Sequence, residues 1–283
     1  MTPDERFMGQ ALGLARRAYG RTSPNPMVGA VLVQKGRVIG RGWHHRAGAP
    51  HAEVEALADA ARRGHAVQGS TIYVTLEPCC THGRTPPCTE ALVRAGVSRV
   101  VVAAIDPNPS HAGQGLDLLR QAGISVESGV LESESARLNE AFNHWIVHRT
   151  PWVTAKSAMT LDGRIATATG ESKWITGPAS RAHAHRLRLG GDAILVGVET
   201  VLADDPSLDV RAQPGFRPPA WFPIKRRIVL DTRARTPSTC RLVSDEARSN
   251  TLVVVGASVP PERLDPLRSR VSVLQAPERD GRI

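Results

Sequence analysis

Two hydrophobic periods alternate along the first half of this chain. Residues 4–19 place apolar side chains at helical spacing, and 27–42 (MVGAVLVQKGRVIGRG) reads as two short strands about a turn at Lys35-Gly36. A helix at 53–63 and a β-branched strand at 70–78 follow, then a short helix at 88–96 stopped by Gly96. Next come a buried strand at 98–106, a helix at 115–123 and a strand at 124–130. Repeated β-α-β order predicts helices packed on a largely parallel sheet. One long helix over 133–149 closes this series ahead of Pro151.

A second series begins after Thr150-Pro151. Residues 152–160 (WVTAKSAMT) read as a strand, and 178–189 as a helix opening on Pro178. Strands are expected at 192–197, 226–231, 251–257 and 271–276. Helices are expected at 198–205 and 260–270, with a Pro-rich connection at 213–223. No internal repeat or low-complexity tract interrupts either series.

At 283 residues the chain is about twice one domain's usual size, so an α/β protein of two domains, 1–149 and 150–283, is expected. Apolar residues at 41% and charged residues at 22% are globular proportions and argue against disorder. Apolar runs such as 100–105 are too short to cross a bilayer, and the opening MTPDERFMGQ lacks the apolar core of a signal peptide. Only four cysteines, three of them within 79–88, suit a reducing cytoplasm and suggest metal ligation more than disulfides. The net charge of +9 is carried almost entirely by scattered arginines, with lysine only at 35, 156, 173 and 225. Such diffuse charge fits a phosphorylated small molecule at least as well as nucleic acid.

The sharpest chemistry lies in HAE at 51–53 and TLEPCCTHGRTPPC at 75–88. His51, Cys79 and Cys88 supply the nitrogen and sulfur donors that Zn²⁺ prefers, and three protein ligands leave a fourth position for water. Zinc lowers the pKa of that water to roughly 7. Cys79 follows a strand and Cys88 opens a helix, whose N-terminal partial charge favours thiolate. Glu53 is placed to shuttle protons beside such a water. The H-x-E…P-C-x-x-C signature of nucleobase deaminases has this form, although here eight residues instead of two separate the cysteines. A closed zinc knot with Cys80 or His82 as fourth ligand is one alternative, and accidental clustering another. A structural site would have no use for Glu53, and adjacent side chains on an extended segment point apart. Cys240 stands alone in an expected loop and has no assigned role.

Long motifs occur in order: TSPNPMVGAV (22–31), GWHHRAGAPHAEVEAL (42–57), TLEPCCTHGRTPPC (75–88), DPNP (106–109), KSAMTLDGR (156–164), GESKWIT (170–176) and VGVETVLADDPSLDVR (196–211). On these motifs the chain resembles, from about residue 4 to its end, the bifunctional deaminase–reductase family of riboflavin biosynthesis. The resemblance implies a cytidine-deaminase-like N-terminal domain and a dihydrofolate-reductase-like C-terminal domain. It implies zinc on His51, Cys79 and Cys88, with Glu53 as the proton shuttle. Asn25, His44 and Arg84 match positions that contact the deaminase substrate. Asn25 suits a pyrimidine edge, while His44 and Arg84 suit a phosphate. Many members carry His at the place of Thr81, whereas here the imidazole is His82.

No G-x-G-x-x-G occurs in the second half, so any dinucleotide must bind in another way. By resemblance, Ala158, Trp174, Thr200, Asp204 and Thr232 match NADPH contacts, and Ser172, Arg188, Leu208 and Arg211 match reductase-substrate contacts. Two guanidinium groups, Arg188 and Arg211, can clamp a ribose phosphate. Members of the family continue past the point matching 280–283 through a Glu-Gly-Pro or Glu-Gly-Gly type segment. The expectation is therefore a reductase half lacking its C-terminal part, in a chain that deaminates but reduces poorly.

The expected function is zinc-dependent deamination of a phosphoribosylaminopyrimidine, then NADPH-dependent reduction of ribosyl to ribityl. The expected partner is a small molecule, with no nucleic acid or membrane, in a homo-oligomer implied by the resemblance alone. A tRNA or nucleic-acid deaminase with a basic accessory domain would call for clustered cations and exposed aromatics. Aromatics here are only 4%. A zinc-stabilised binding module would leave Glu53 without purpose.

Overall fold

The computed structural model describes residues 1–82, 86–220, 222 and 224–283. It divides into two compact units, Met1–Thr154 and Ala155–Ile283.

In unit 1, α1 (Pro3–Ala15) begins at a capping box in which Thr2 and Glu5 satisfy one another's backbone amides. Strands β1 (Gly29–Gln34) and β2 (Arg37–Trp43) form the expected hairpin, with Lys35 and Gly36 at φ +49° and +73°. Then follow α2 (Ala52–Arg62), β3 (Thr71–Leu76), α3 (Cys88–Arg94), β4 (Arg99–Ala104), α4 (Gln114–Gln121) and β5 (Ser125–Ser128). Sheet order is β2-β1-β3-β4-β5. The sheet is largely parallel, as expected, with β1 as its one reversed strand. A two-residue turn can join only antiparallel strands, and β1 also runs antiparallel to β3, so β2, β3, β4 and β5 all run one way and β1 the other.

Both faces of this sheet are covered. Ala30, Leu32, Ile72, Val74, Val100 and Val102 face a core shared with Ala52, Ala56 and Ala60 of α2 and Leu92 of α3. The alternate residues Val31, Val33, Tyr73, Val101 and Ala103 pack with Phe7, Met8, Ala11 and Leu12 of α1. Two-sided burial explains why the strands read as unbroken apolar runs.

The approach of α2 to β2 is unusually close. A Cβ on Gly42 would lie 2.2 Å from the Ala52 carbonyl oxygen and 2.4 Å from the Ala56 nitrogen; one on Gly40 would lie 2.3 Å from the Ala56 oxygen. Gly42→Ala is therefore expected to push away the first turn of α2, at a cost of about 3 kcal/mol. Urea unfolding monitored on the variant checks this, and a shift below 1 kcal/mol would mean that the helix moves freely.

The helix expected over 133–149 is two helices, α5 (Glu132–Leu138) and α6 (Glu140–His148). Asn139, at φ −113° and ψ 23°, breaks them. Its side chain accepts from the Met27 N–H at 2.8 Å and donates to the Met27 carbonyl at 2.9 Å. This pairing, 112 residues away in sequence, satisfies a buried backbone segment.

Unit 2 contains α7 (Pro178–Gly190), β6 (Ala193–Gly197), α8 (Val198–Asp204), β7 (Arg226–Leu230), α9 (Arg241–Ser244), β8 (Thr251–Gly256), α10 (Pro261–Arg268) and β9 (Ser272–Ala276). Its sheet has order β6-β7-β8-β9 and is parallel throughout. Buried Arg227 is paired at 2.6 and 2.8 Å with both carboxylate oxygens of Asp245 and also bonds Thr251, Ser207 and Leu242. One expectation fails here. Residues 152–160 form no strand, because among the described residues no ladder receives them; Thr160 instead closes a turn with Arg164. Cys240 lies in a bend just ahead of α9, as expected, and is buried in the unit's apolar core.

Candidate metal and cofactor sites

Three element ends converge in unit 1. His51 is the N-cap residue of α2, Cys79 follows β3, and Cys88 is the first residue of α3. His51 Nδ1 lies 3.4 Å from Cys79 Sγ and 3.3 Å from Cys88 Sγ. All three donor atoms lie within 4.8 Å of one another. Tetrahedral zinc with bonds of about 2.0–2.3 Å sets donor–donor edges of about 3.3–3.8 Å, so this triangle fits the ion. The Cys88 N–H donates to Cys79 Sγ at 3.3 Å. The hydrogen bond from Cys88 holds the Cys79 thiol well below its ordinary pKa, while the Cys79 partner and burial push Cys88 up. A divalent cation bound here would displace the thiol protons.

Glu53, in the first turn of α2, is 3% exposed. Burial pushes its carboxyl pKa up to about 7, and the neighbouring Cys79 adds to the shift. A proton-accepting carboxylate with its pKa near neutrality suits a shuttle.

His44 is 2% exposed and meets His51 edge to face, with ring centroids 5.2 Å apart. Its Nδ1 lies 3.1 Å from the Pro50 carbonyl oxygen and its Nε2 3.1 Å from Asn25 Nδ2. The carbonyl can only accept, so Nδ1 carries the proton and Nε2 accepts from Asn25. Burial lowers the His44 pKa, which favours this neutral form. Both nitrogens are thus engaged in this structure, Nε2 by Asn25 and Nδ1 by Pro50, where the sequence had suggested a phosphate contact. Arg84 lies outside the described residues.

Two neighbours escaped the sequence reading. Cys80 Sγ lies 3.7 Å from His111 Nδ1, and buried Glu77 accepts three backbone N–H bonds. The one available signal was a carboxylate at the end of an otherwise apolar strand, ahead of Pro78.

Unit 2 brings the expected residues to three places and leaves one apart. Arg188 donates to the Asp209 carbonyl at 2.7 Å, and the Arg211 guanidinium pairs with the Asp209 carboxylate. Buried Leu208, at φ +47°, adjoins them in sequence. The Lys173 ammonium lies 2.9 Å from Asp204 Oδ1, which brings the segment carrying Ser172 and Trp174 to the end of α8. Trp174 is 71% exposed under the Arg181 guanidinium, 4.5 Å from the ring centre. Thr200 lies in the first half of α8. Thr232 lines a crevice with Val198, Glu199, Asp231, Arg233 and Arg235, beyond the carboxyl ends of β6 and β7. Parallel sheets bind nucleotides at such ends. Among the described residues, Asp231 Oδ1 is buried without a hydrogen-bond partner. Ala158 lies in the irregular segment, apart from any regular element.

His185 accepts from the Arg211 N–H at 3.3 Å. Burial, then the charges of Arg188 and Arg211, lower its pKa from 6.5 to about 4. The folded state therefore favours neutral His185. The stability this confers is complete above pH 6.5 and declines as pH falls towards 4. The thermal midpoint of unit 2 should fall across that window in wild type and fall less in His185→Gln. Parallel profiles for the two proteins would remove His185 as the cause.

Residues 1–104 match the cytidine and deoxycytidylate deaminase zinc-binding region, and residues 151–279 match the RibD C-terminal domain. The riboflavin biosynthesis protein RibD of Aquifex aeolicus is 46% identical over 272 residues, 96% of this chain and 74% of that protein. RibD of Escherichia coli K12 is 47% identical over 246 residues, covering 85% of this chain and 66% of its own. For the Bacillus amyloliquefaciens protein the latter share is 63%. Acinetobacter baumannii RibD superposes with a TM-score of 0.83 at 42% identity, covering 98% of this chain and 74% of that one. A Thermotoga maritima structure described as a diaminohydroxyphosphoribosylaminopyrimidine deaminase/5-amino-6-(5-phosphoribosylamino)uracil reductase also gives 0.83, at 38% identity over 97% and 74% of the two chains.

Proposed function

Because this chain belongs to the RibD family of riboflavin biosynthesis proteins, we propose that unit 1 hydrolytically deaminates a phosphoribosylated diaminopyrimidine and that unit 2 reduces the product with NADPH. The observation that carries the first half is buried Glu53 beside the His51–Cys79–Cys88 triangle. His51, Cys79 and Cys88 would hold zinc, which when bound polarises a water and brings its pKa to about 7.

The chain's own groups do the rest. Glu53 takes a proton from the attacking water and delivers it to the ring nitrogen, then takes the second from the hydroxyl added to the ring carbon and delivers it to the departing amine. The ring carbon gains oxygen and loses ammonia. His44 fixes the amide of Asn25 so that its Oδ1 can accept from the pyrimidine edge. Arg84 is assigned to the substrate phosphate, and His82 has no assigned contact.

In unit 2 the crevice around Thr232 suits the dinucleotide, with Arg233 and Arg235 adding positive charge. NADPH, when bound, supplies a hydride. Ala158, Trp174, Thr200, Asp204 and Thr232 are assigned to the cofactor. Ser172, Leu208, Arg188 and Arg211 are assigned to the substrate, with both guanidinium groups for its phosphate. Four free cysteines suit the reducing cytoplasm, and a homo-oligomer remains the family-based expectation. Among the described residues no helix is long and apolar enough to cross a membrane.

The test is ammonia release from the diaminopyrimidine ribosyl phosphate, run beside a tRNA substrate, followed by NADPH oxidation on the deaminated product. Release from the pyrimidine alone supports the deaminase reading, and release from tRNA alone overturns it. NADPH oxidation bears separately on unit 2.

A further inference from the structure

Glu77 is two residues from Cys79, yet no step of the proposed chemistry uses it. It is 6% exposed, and no cation pairs with it among the described residues. Its carboxylate is occupied by backbone. Oε1 accepts from the Gly115 N–H at 2.9 Å, and Oε2 from the N–H groups of Asp106 at 3.1 Å and Gly113 at 2.9 Å. Gly113 and Gly115 stand at the start of α4, so the carboxylate also meets the positive end of that helix.

The fit leaves no slack. A Cβ on Gly115 would lie 2.3 Å from the Pro78 carbonyl oxygen and 3.1 Å from Glu77 Oε1. Pro78 directly precedes Cys79. The segment so held includes Asp106, whose carboxylate accepts from the Asn108 N–H at 2.9 Å, and His111, which reaches Cys80. One side chain thus joins the turn bearing Cys79 to the start of α4 and the loop before it.

From this geometry we infer that Glu77 is a positioning residue of the metal centre: it fixes the backbone on which Cys79 is presented and the 106–115 segment lying against it. The inference rests on the zinc-site reading above. A carboxylate is required because it offers acceptors on both oxygens, whereas an amide turns a donor towards at least one of these N–H groups. Groups that orient metal ligands typically contribute about 10–100-fold to metal affinity.

The test uses the full chain loaded with zinc or, for spectroscopy, with Co²⁺. Glu77→Gln should release zinc to a chelator about 10–100-fold faster than wild type. It should also alter the Co²⁺ ligand-field spectrum and raise amide exchange at Gly113 and Gly115. Gly115→Ala leaves the carboxylate in place but crowds Pro78, and should shift the same three readouts. His185→Gln, distant from the ligands in sequence and in the other unit, should shift none. Should either variant melt earlier, the measurements are made well below its midpoint. A Glu77→Gln protein with wild-type zinc release and Co²⁺ spectrum, however destabilised, has lost only a structural contact, and the inference is overturned. Wild type that binds neither metal would instead overturn the zinc-site reading itself.

Discussion

Glu53→Gln is expected to keep its zinc and to lose deamination by about 10⁴-fold or more. Losing one general acid–base contribution costs about 10²–10⁴-fold, and here a single group serves several proton transfers. Gln retains the shape of Glu53, which is not one of the three metal donors, so the metal triangle should survive. It cannot take a proton from water near neutral pH. Metal content and ammonia release measured on one preparation separate the two effects. Activity within tenfold of wild type would remove Glu53 from the reaction. Loss of zinc together with activity would make it a structural support instead.

Cys88→Ser should show the largest change in metal content. The hydroxyl is a poor zinc donor at neutral pH, and only two of the three protein ligands remain. The loss of affinity should exceed the roughly 100-fold that marks the upper range for groups merely orienting a ligand. Cys88 also begins α3 and is buried against Glu53, so circular dichroism must show that the fold persists. Full zinc retention would assign Cys80 or His82 a ligand's place. Cys80→Ser, by comparison, should retain zinc, because its sulfur faces His111.

Much of this site is legible in the sequence, for a local reason. His51, Cys79 and Cys88 lie at the ends of a helix, a strand and a helix, and those boundaries follow from periodicity and punctuation nearby. Sequence alone did not disclose what depends on distant partners. The break at Asn139 exists because Met27 lies opposite it. His44 carries no mark that both its nitrogens are spoken for. Residues 152–160 have the alternation of a strand, but alternation describes two faces and says nothing of a neighbour to pair with. Hairpin residues Lys35 and Gly36 announced an antiparallel β1–β2 pair, and β-α-β order further along a parallel set; both signals were local, and both hold. Neither disclosed that β1 would lie between β2 and β3.

The clamp between Asn139 and Met27 bears on where the deaminase half can be severed. The zinc-binding match stops at residue 104, the last residue of β4. A fragment ending there would lack β5, leaving the β4 edge open to pairing with other chains. It would strip Leu131 and Leu138 from the cluster around Phe7 and release the loop on which Asn25 meets His44. All three ligands and Glu53 would be present, in a chain inclined to aggregate before it could bind metal. The smallest fragment to retain these contacts must run past Asn139, at the junction of α5 and α6.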